Sequence, residues 1–310
     1  MSHTSDFLTF TLPASPLSPS SLPSTSTALP PDLSLLLTDT LDAPATFLLV
    51  QLVARALRPA VPGPGRKRAR GEGPRRVMLV GVREREEYWA ATLRKQGIQL
   101  TTESSTGRFT FLDASSPSLP LADLFSSLRA ALARPLAAGP PREPRAAADA
   151  DGDGDEPGPL VVIDDLSALL WVGREAKDVV RWWRGVRALV SESSSSLVTL
   201  LHADSLSPSP ATHAPSSTAS PYQSPDDQYL FRNVLQGCDL WGEVVGLGNG
   251  GTGARGELSL HRGPSLITPS PSPPHWSVDA PRSGARALQY KLDEGGAVWE
   301  VKGQMGGRVW

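Results

Sequence analysis

Two adjacent carboxylates, Asp164 and Asp165, directly follow the uninterrupted apolar run 160–163. Such a run is typical of a strand that is buried on both faces of a parallel sheet. Ligands of these sheets bind outside the carboxyl ends of the strands, and proteins with a phosphate loop hold there the carboxylate that orients magnesium. The pair therefore predicts either one wall of a nucleotide site or a strand-end turn with a structural hydrogen bond.

The phosphate loop itself should follow the first apolar run, 33–37. When residues 39–46 are aligned with the pattern G-x-x-x-x-G-K-[ST], Asp39 and Pro44 replace the two glycines, Ala45 replaces the lysine, and only Thr46 fits. A phosphate loop binds through main-chain N–H groups made approachable by glycine and through a lysine cation. Because this stretch lacks both, we expect a degenerate nucleotide site, no ATP hydrolysis by the chain alone and no cofactor, and we favour the structural turn for the carboxylate pair.

The predicted helix 174–190 has two contrasting faces. Its apolar face, which includes Trp182 and Trp183, predicts core packing. Its basic stripe indicates either a solvated face or a contact with RNA phosphates or an acidic partner. The stripe consists of Arg174, Lys177, Arg181 and Arg184.

A second basic region, 66–76, lies among prolines and glycines and is best interpreted as a solvated loop, with nuclear import or RNA binding as alternatives.

Other motifs predict no site. Residues 246–251 match G-x-G-x-x-G but lead into another strand, so a hairpin loop is favoured over a dinucleotide site. The five histidines lack partners at metal-ligand spacings, and the single cysteine, Cys238, excludes an internal disulfide and a cysteine-based zinc site. We therefore expect no metal site and a reducing compartment.

The elements that must position these residues alternate in type. Apolar runs at 33–37, 77–82, 109–112, 160–163 and 197–201 predict strands, and the segments 45–57, 84–96, 121–134, 174–190 and 226–237 predict helices. This alternation predicts an α/β fold with a mostly parallel sheet and helices on both faces. The last segments, 240–247, 257–262, 286–292 and 297–302, predict antiparallel strands that extend the sheet, with a hairpin turn at 293–296.

Composition sets the limits of the fold. The 310 residues carry a net charge of −2, which gives no reason to expect a nucleic-acid or membrane surface. The 28 glycines and 30 prolines cluster, which predicts a disordered segment 1–31 and a single domain over 32–310 with flexible insertions. No leader peptide or membrane span is indicated, so we expect a cytoplasmic protein with the nucleus as a second location. The predicted insertions are 59–74, 138–158, 205–225 and 264–285.

The stretch 160–173 (LVVIDDLSALLWVG) and the closing hairpin 288–303 resemble the Elongator complex protein 6 family. The order of the elements between them is also similar, including His202-Ala203-Asp204 after the fifth strand. The resemblance covers the part of the chain outside the predicted flexible segments. It implies a RecA-like fold without a working phosphate loop, in agreement with the substitutions at 39–46.

The resemblance also implies a function. Members of that family join paralogous subunits in a hetero-hexameric ring that binds tRNA and serves the larger Elongator complex in modifying the wobble uridine. By this resemblance we expect a non-catalytic ring subunit. The alternative is a RecA-like ATPase with an atypical phosphate loop. A stand-alone dinucleotide-binding enzyme is disfavoured because residues 246–251 lead into no helix.

Overall fold

The computed structural model describes ten stretches of the chain. Its helices are α1 Thr46–Leu57, α2 Glu86–Lys95, α3 Leu100–Ser105, α4 Leu121–Ala133, α5 Ala168–Trp171, α6 Ala176–Glu192, α7 Pro225–Gly237 and α8 Pro264–Ile267. Its strands are β1 Phe10–Leu12, β2 Ser24–Ser26, β3 Ser34–Asp39, β4 Val77–Gly81, β5 Phe109–Asp113, β6 Leu160–Asp164, β7 Ser196–His202, β8 Leu240–Gly246, β9 Arg255–Arg262, β10 Ser277–Val278, β11 Arg286–Asp293 and β12 Gly296–Glu300. The described residues are 10–12, 24–26, 29–58, 74–134, 158–203, 224–246, 255–267, 276–278, 286–293 and 296–300.

A nine-stranded sheet with the order β12-β11-β9-β8-β3-β7-β6-β4-β5 forms the centre of the fold. The strands from β8 to β5 in this order are parallel, and β9, β11 and β12 extend the sheet in antiparallel fashion. Strands β3, β4 and β6 are buried along their whole length, as their unbroken apolar runs predict. The α/β prediction is therefore confirmed.

Helices cover both faces of the parallel strands. One hydrophobic layer places α1 and α2 against the sheet, and the other places α4, α6 and α7 against the opposite face. Trp182 and Trp183 lie in the second layer at 5% and 1% exposure, which confirms the apolar face predicted for α6. The Trp183 Nε1–H donates to Thr199 Oγ1 at 3.0 Å, so this helix is fixed to β7 by a polar contact as well as by packing.

The orientation of β8 differs from the sequence prediction. The segment 240–247 was grouped with the antiparallel strands, but β8 is parallel to β3 and antiparallel only to β9. The physical reason is the intervening helix α7, which forms a crossover connection and returns the chain in the parallel direction. The remaining C-terminal pairings are antiparallel as predicted, and the register of Asp293 with Gly296 agrees with the predicted hairpin turn.

Most residues of the segments 1–31, 59–74, 138–158, 205–225 and 264–285 lie outside the described residues. Their predicted flexibility therefore stays a prediction. Where residues are described, short elements occur: β1 and β2 within the first segment, and α8 and β10 within the last. The Phe10 ring meets the Trp276 ring edge-on at a centroid distance of 5.8 Å. This ring contact therefore joins β1, in the first segment, to the chain before β10, in the last segment.

Arg75 is buried, whereas its position among basic, proline and glycine residues predicts a solvated loop. It is 4% exposed, and its guanidinium donates to Leu29 O and Gly158 O at 2.7 Å and to Pro159 O at 3.1 Å. A further bond reaches Ser196 Oγ at 2.8 Å. The solvated-loop interpretation is wrong here because these acceptors come from three distant parts of the chain that converge only in the fold.

Among the described helices, none combines the length and the apolar character needed to cross a membrane.

Candidate functional site

The carboxyl ends of four adjacent parallel strands bring the predicted site residues together. Strand β3 ends at Asp39, β7 at His202, β6 at Asp164 and β4 at Gly81, and these strands are neighbours in the order β3-β7-β6-β4. We call this side of the sheet the carboxyl edge. It is where ligands of open parallel sheets bind. The loop residues 39–46 and the carboxylate pair of the predicted degenerate site therefore lie on one side of the sheet.

The Asp39 carboxylate uses the main-chain N–H at the start of α1. Asp39 is 1% exposed, and its Oδ2 accepts the Ala45 N–H at 2.8 Å. The intervening chain closes a tight turn in which the Ala43 N–H donates to Thr40 O at 3.0 Å. In a phosphate loop, main-chain N–H groups at the helix start point at a bound phosphate. Here a carboxylate of the chain itself accepts one of them, while Pro44 has no N–H to donate and Thr46 is the first residue of α1.

The other Asp39 oxygen connects β3 to its neighbour β7. His202 Nδ1 lies 3.0 Å from Asp39 Oδ1. The His202 main-chain N–H donates to Ser167 Oγ at 2.7 Å, and the Trp171 ring meets the His202 ring edge-on at 5.7 Å. His202 therefore joins the loop after β3 to the turn after β6.

Asp164 is fully buried at the end of β6. Its Oδ2 lies 3.3 Å from both Trp89 Nε1 and the Glu84 main-chain N–H, which donate to it. Burial, and next the charge of Asp165, raise the pKa of Asp164 to about 7. This carboxyl is therefore protonated at acidic pH and about half ionised near neutral pH. Its Oδ1 is buried and has no hydrogen-bond partner among the described residues.

Asp165 occupies a turn with left-handed backbone (φ 60°). Its Oδ1 accepts the Ser167 Oγ–H at 2.8 Å, and its Oδ2 lies 3.7 Å from Arg83 Nη1. Burial raises its pKa as well, and the hydrogen bond from Ser167 opposes that shift. Asp165 thus makes the local hydrogen bond of a strand-end turn, the structural interpretation favoured from the sequence.

Sequence reasoning missed His202, Arg83 and Trp89 at this edge. His202 was dismissed because no metal ligand stands at a suitable spacing from it, although it follows a predicted strand in the same way as the carboxylate pair. That strand-end position was the available signal. Arg83 and Trp89 contact the carboxylates only because β4 and α2 lie beside β6, and no local pattern indicates this. No cluster of three metal-ligating side chains is found among the residues the structure describes.

The basic stripe of α6 lies away from the sheet and is partly engaged. Arg181 Nη1 pairs with Asp178 Oδ1 at 2.9 Å, and Arg184 Nη2 donates to Asn233 Oδ1 at 2.7 Å. Arg174, which precedes the helix, donates to Leu119 O, and Lys177 is exposed. The exposed part of the stripe is therefore formed by Lys177, Arg181 and Arg184.

Comparison with known proteins identifies a fold and no family. No family model matches the chain, and no curated protein matches it. A solved KaiC-like protein from the hyperthermophilic archaeon Pyrococcus horikoshii OT3 superposes with a TM-score of 0.50 at 9% identity, covering 88% of this chain and 91% of that one. The chain has a RecA-like, KaiC-like fold. The RecA-like domain predicted from the sequence is thereby confirmed at the level of fold.

Proposed function

We propose that this RecA-like chain is a non-catalytic structural subunit of an Elongator-type complex. In this proposal it joins two paralogous RecA-like subunits in a hetero-hexameric ring that binds tRNA and supports wobble-uridine modification. The observation that carries the proposal is the hydrogen bond from the Ala45 N–H to the Asp39 carboxylate at 2.8 Å. This bond, in a loop that has neither glycine nor lysine, supports a RecA-like domain that keeps the architecture for assembly and does not use residues 39–46 to bind phosphate.

The sequence resemblance supports the same proposal. The stretch 160–173 that carries it includes β6, the turn at Asp165 that follows β6 at the carboxyl edge, and α5. The second stretch includes the hairpin of β11 and β12. The resemblance therefore extends over two separate parts of one sheet.

The alternative function is a RecA-like ATPase with an atypical phosphate loop. It is favoured by the position of Asp164 and Asp165 at the edge where such enzymes hold magnesium. It requires accessible carboxylates, but Asp164 is fully buried and Trp89 and the Glu84 main chain donate to one of its oxygens, while the other has no hydrogen-bond partner among the described residues. We therefore keep the structural function as the proposal.

Ring membership is tested by co-expression with the two paralogous subunits. We expect all three chains to co-purify, and native mass spectrometry to give one mass equal to two copies of each, because closed assemblies have a defined stoichiometry. The tagged chain purified without either paralogue in the same host would contradict the proposal.

The basic stripe supplies the RNA prediction. In the assembled ring, the double variant R181E/R184E should bind tRNA at least about tenfold more weakly and with a smaller salt slope, because each lost phosphate contact reduces counterion release. Filter binding across salt concentrations measures both quantities. The matched control R94E/K95E makes the same charge change on exposed positions of α2. Equal tRNA affinity and salt slope in the stripe variant and the unaltered ring would assign the stripe to a solvated face.

A further inference from the structure

An open cavity of about 300 Å³ lies at the amino ends of β3 and β7, at the end of the sheet opposite the carboxyl edge. It is lined by the last two turns of α6 and by the chain that enters β3. The lining includes the buried apolar side chains of Leu33, Val190 and Leu197. This volume is at the lower end of the range found for small-ligand pockets. We call this feature the amino-edge cavity.

Two arginines of α6 line the amino-edge cavity. Arg184 and Arg187 are three residues apart, so they project from the same side of the helix. Arg184 is exposed and donates to the neutral amide of Asn233. Arg187 is half-buried, and it makes neither a hydrogen bond nor an ion pair with any residue that the structure describes. A guanidinium taken partly out of water without an acceptor lowers stability, and an anion in the cavity would supply acceptors.

The other polar groups at the cavity also determine what it can hold. Asp32 is the acidic residue of the lining, so the two arginines exceed the carboxylates there by one charge. The last carbonyls of a helix repel an anion unless they are already hydrogen-bonded. Here the Ser193 N–H donates to Leu189 O at 3.2 Å. The Ser195 N–H donates to Val190 O at 3.0 Å. The cavity therefore favours an anionic ligand.

The cavity continues the basic stripe toward the end of α6. Lys177, Arg181 and Arg184 precede Arg187 at spacings of four, three and three residues, which gives a row of cations about 15 Å long. A row of this length suits successive phosphates of one RNA strand better than a single acidic side chain of a partner protein.

We propose that the amino-edge cavity binds a phosphate of an RNA backbone, with the Arg187 guanidinium donating to the phosphate oxygens and Arg184 beside it. Arginine suits this role because its planar group donates to two phosphate oxygens at once. The inference rests on the proposed function, since it names where RNA contacts this subunit of the ring. It adds Arg187, which lies beside the stripe and was not among the candidate residues.

Substitutions of opposite charge test the site in the assembled ring. R187M should weaken tRNA binding about tenfold and reduce its salt slope, because one charge-assisted contact is lost. D32N should strengthen tRNA binding about threefold, because it removes the carboxylate while asparagine tolerates the left-handed backbone of Asp32 (φ 62°). The matched controls R129M and D123N, at exposed positions of α4, should change neither quantity. Equal affinity in R187M and the unaltered ring, or no gain in D32N, would overturn the proposal.

The isolated full chain distinguishes the source of the phosphate. In NMR spectra, a short oligouridylate at millimolar concentration should shift the Nε–Hε signal of Arg187, which is assigned by its loss in R187M, and leave that of Arg129 unchanged. If a phosphoserine peptide shifts the Arg187 signal and oligouridylate does not, the cavity takes a phosphoprotein and the proposal is wrong. No shift with either probe also rejects it. Because this measurement needs no ring, a failure of ring assembly counts against the proposed function alone.

Discussion

Replacing Arg75 with methionine should lower the free energy of unfolding by about 2–4 kcal/mol, because the loss of four buried hydrogen bonds outweighs the relief of a buried charge. The substitution keeps much of the aliphatic length of the side chain but removes every donor from a site that is 4% exposed. The carbonyls of Leu29, Gly158 and Pro159 would then remain buried with a hydrogen bond lost. These carbonyls directly precede β3 and β6. The loss of their hydrogen bonds should therefore destabilise the amino-terminal ends of both strands together.

Urea denaturation followed by tryptophan fluorescence measures this change. R94M is the matched control, because Arg94 is exposed in α2 and its replacement should alter stability by less than about 0.5 kcal/mol. R75K should fall between the two, since lysine keeps the charge but cannot donate in as many directions. A loss below about 1 kcal/mol for R75M would show that water or rearranged donors satisfy these carbonyls.

Asparagine in place of Asp164 should gain about 2–4 kcal/mol of stability relative to the unaltered chain as the pH rises from 5 to 9. The pKa of this carboxyl is about 7 in the folded protein, against an ordinary value near 3.8. The folded state therefore binds more protons than the unfolded state between these two values. It follows that the contribution of Asp164 to stability falls as pH rises through this window, and that the full penalty is present above about pH 7. An uncharged amide keeps an oxygen for Trp89 and the Glu84 N–H, and its NH2 takes the place of Oδ1, which has no hydrogen-bond partner among the described residues. The unpaired NH2 lowers stability equally at every pH, so only the pH-dependent difference reports the pKa.

Unfolding free energies measured from pH 5 to pH 9 test the sign. The difference between D164N and the unaltered chain should grow with pH up to about 7 and then level off. D123N, at an exposed carboxylate of α4, should show no such pH-dependent gain. Parallel curves for D164N and the unaltered chain over this pH range would contradict a raised pKa.

Local patterns were sufficient where the structure depends on local properties. Unbroken apolar runs predicted the buried strands, and their final residues placed Asp39, Asp164 and Asp165 at one edge because all parallel strands end on the same side. The helices α3 and α5 were missed since each spans little more than one turn, which is too short to show a helical period.

Other features depend on contacts between distant segments. Arg75 looks like its basic neighbours in the sequence, and only the convergence of Leu29, Gly158 and Ser196 makes it a buried structural residue. The hydrogen bond from the Ala45 N–H to Asp39 likewise has no local sequence signal. The parallel orientation of β8 could have been inferred, because a helix between two strands of one sheet makes a parallel crossover.

Nucleotide binding by the purified chain tests the central claim most directly. The Asp39 carboxylate accepts the Ala45 N–H, and residues 39–46 offer neither glycine nor lysine to a phosphate. Calorimetric titration with ATP and magnesium should therefore show no saturable binding up to millimolar nucleotide, and steady-state assays should show no turnover, while an active RecA-like ATPase in the same buffer shows both. Saturable ATP binding or turnover that is abolished by D164A would contradict this account and establish the carboxyl edge as a working nucleotide site.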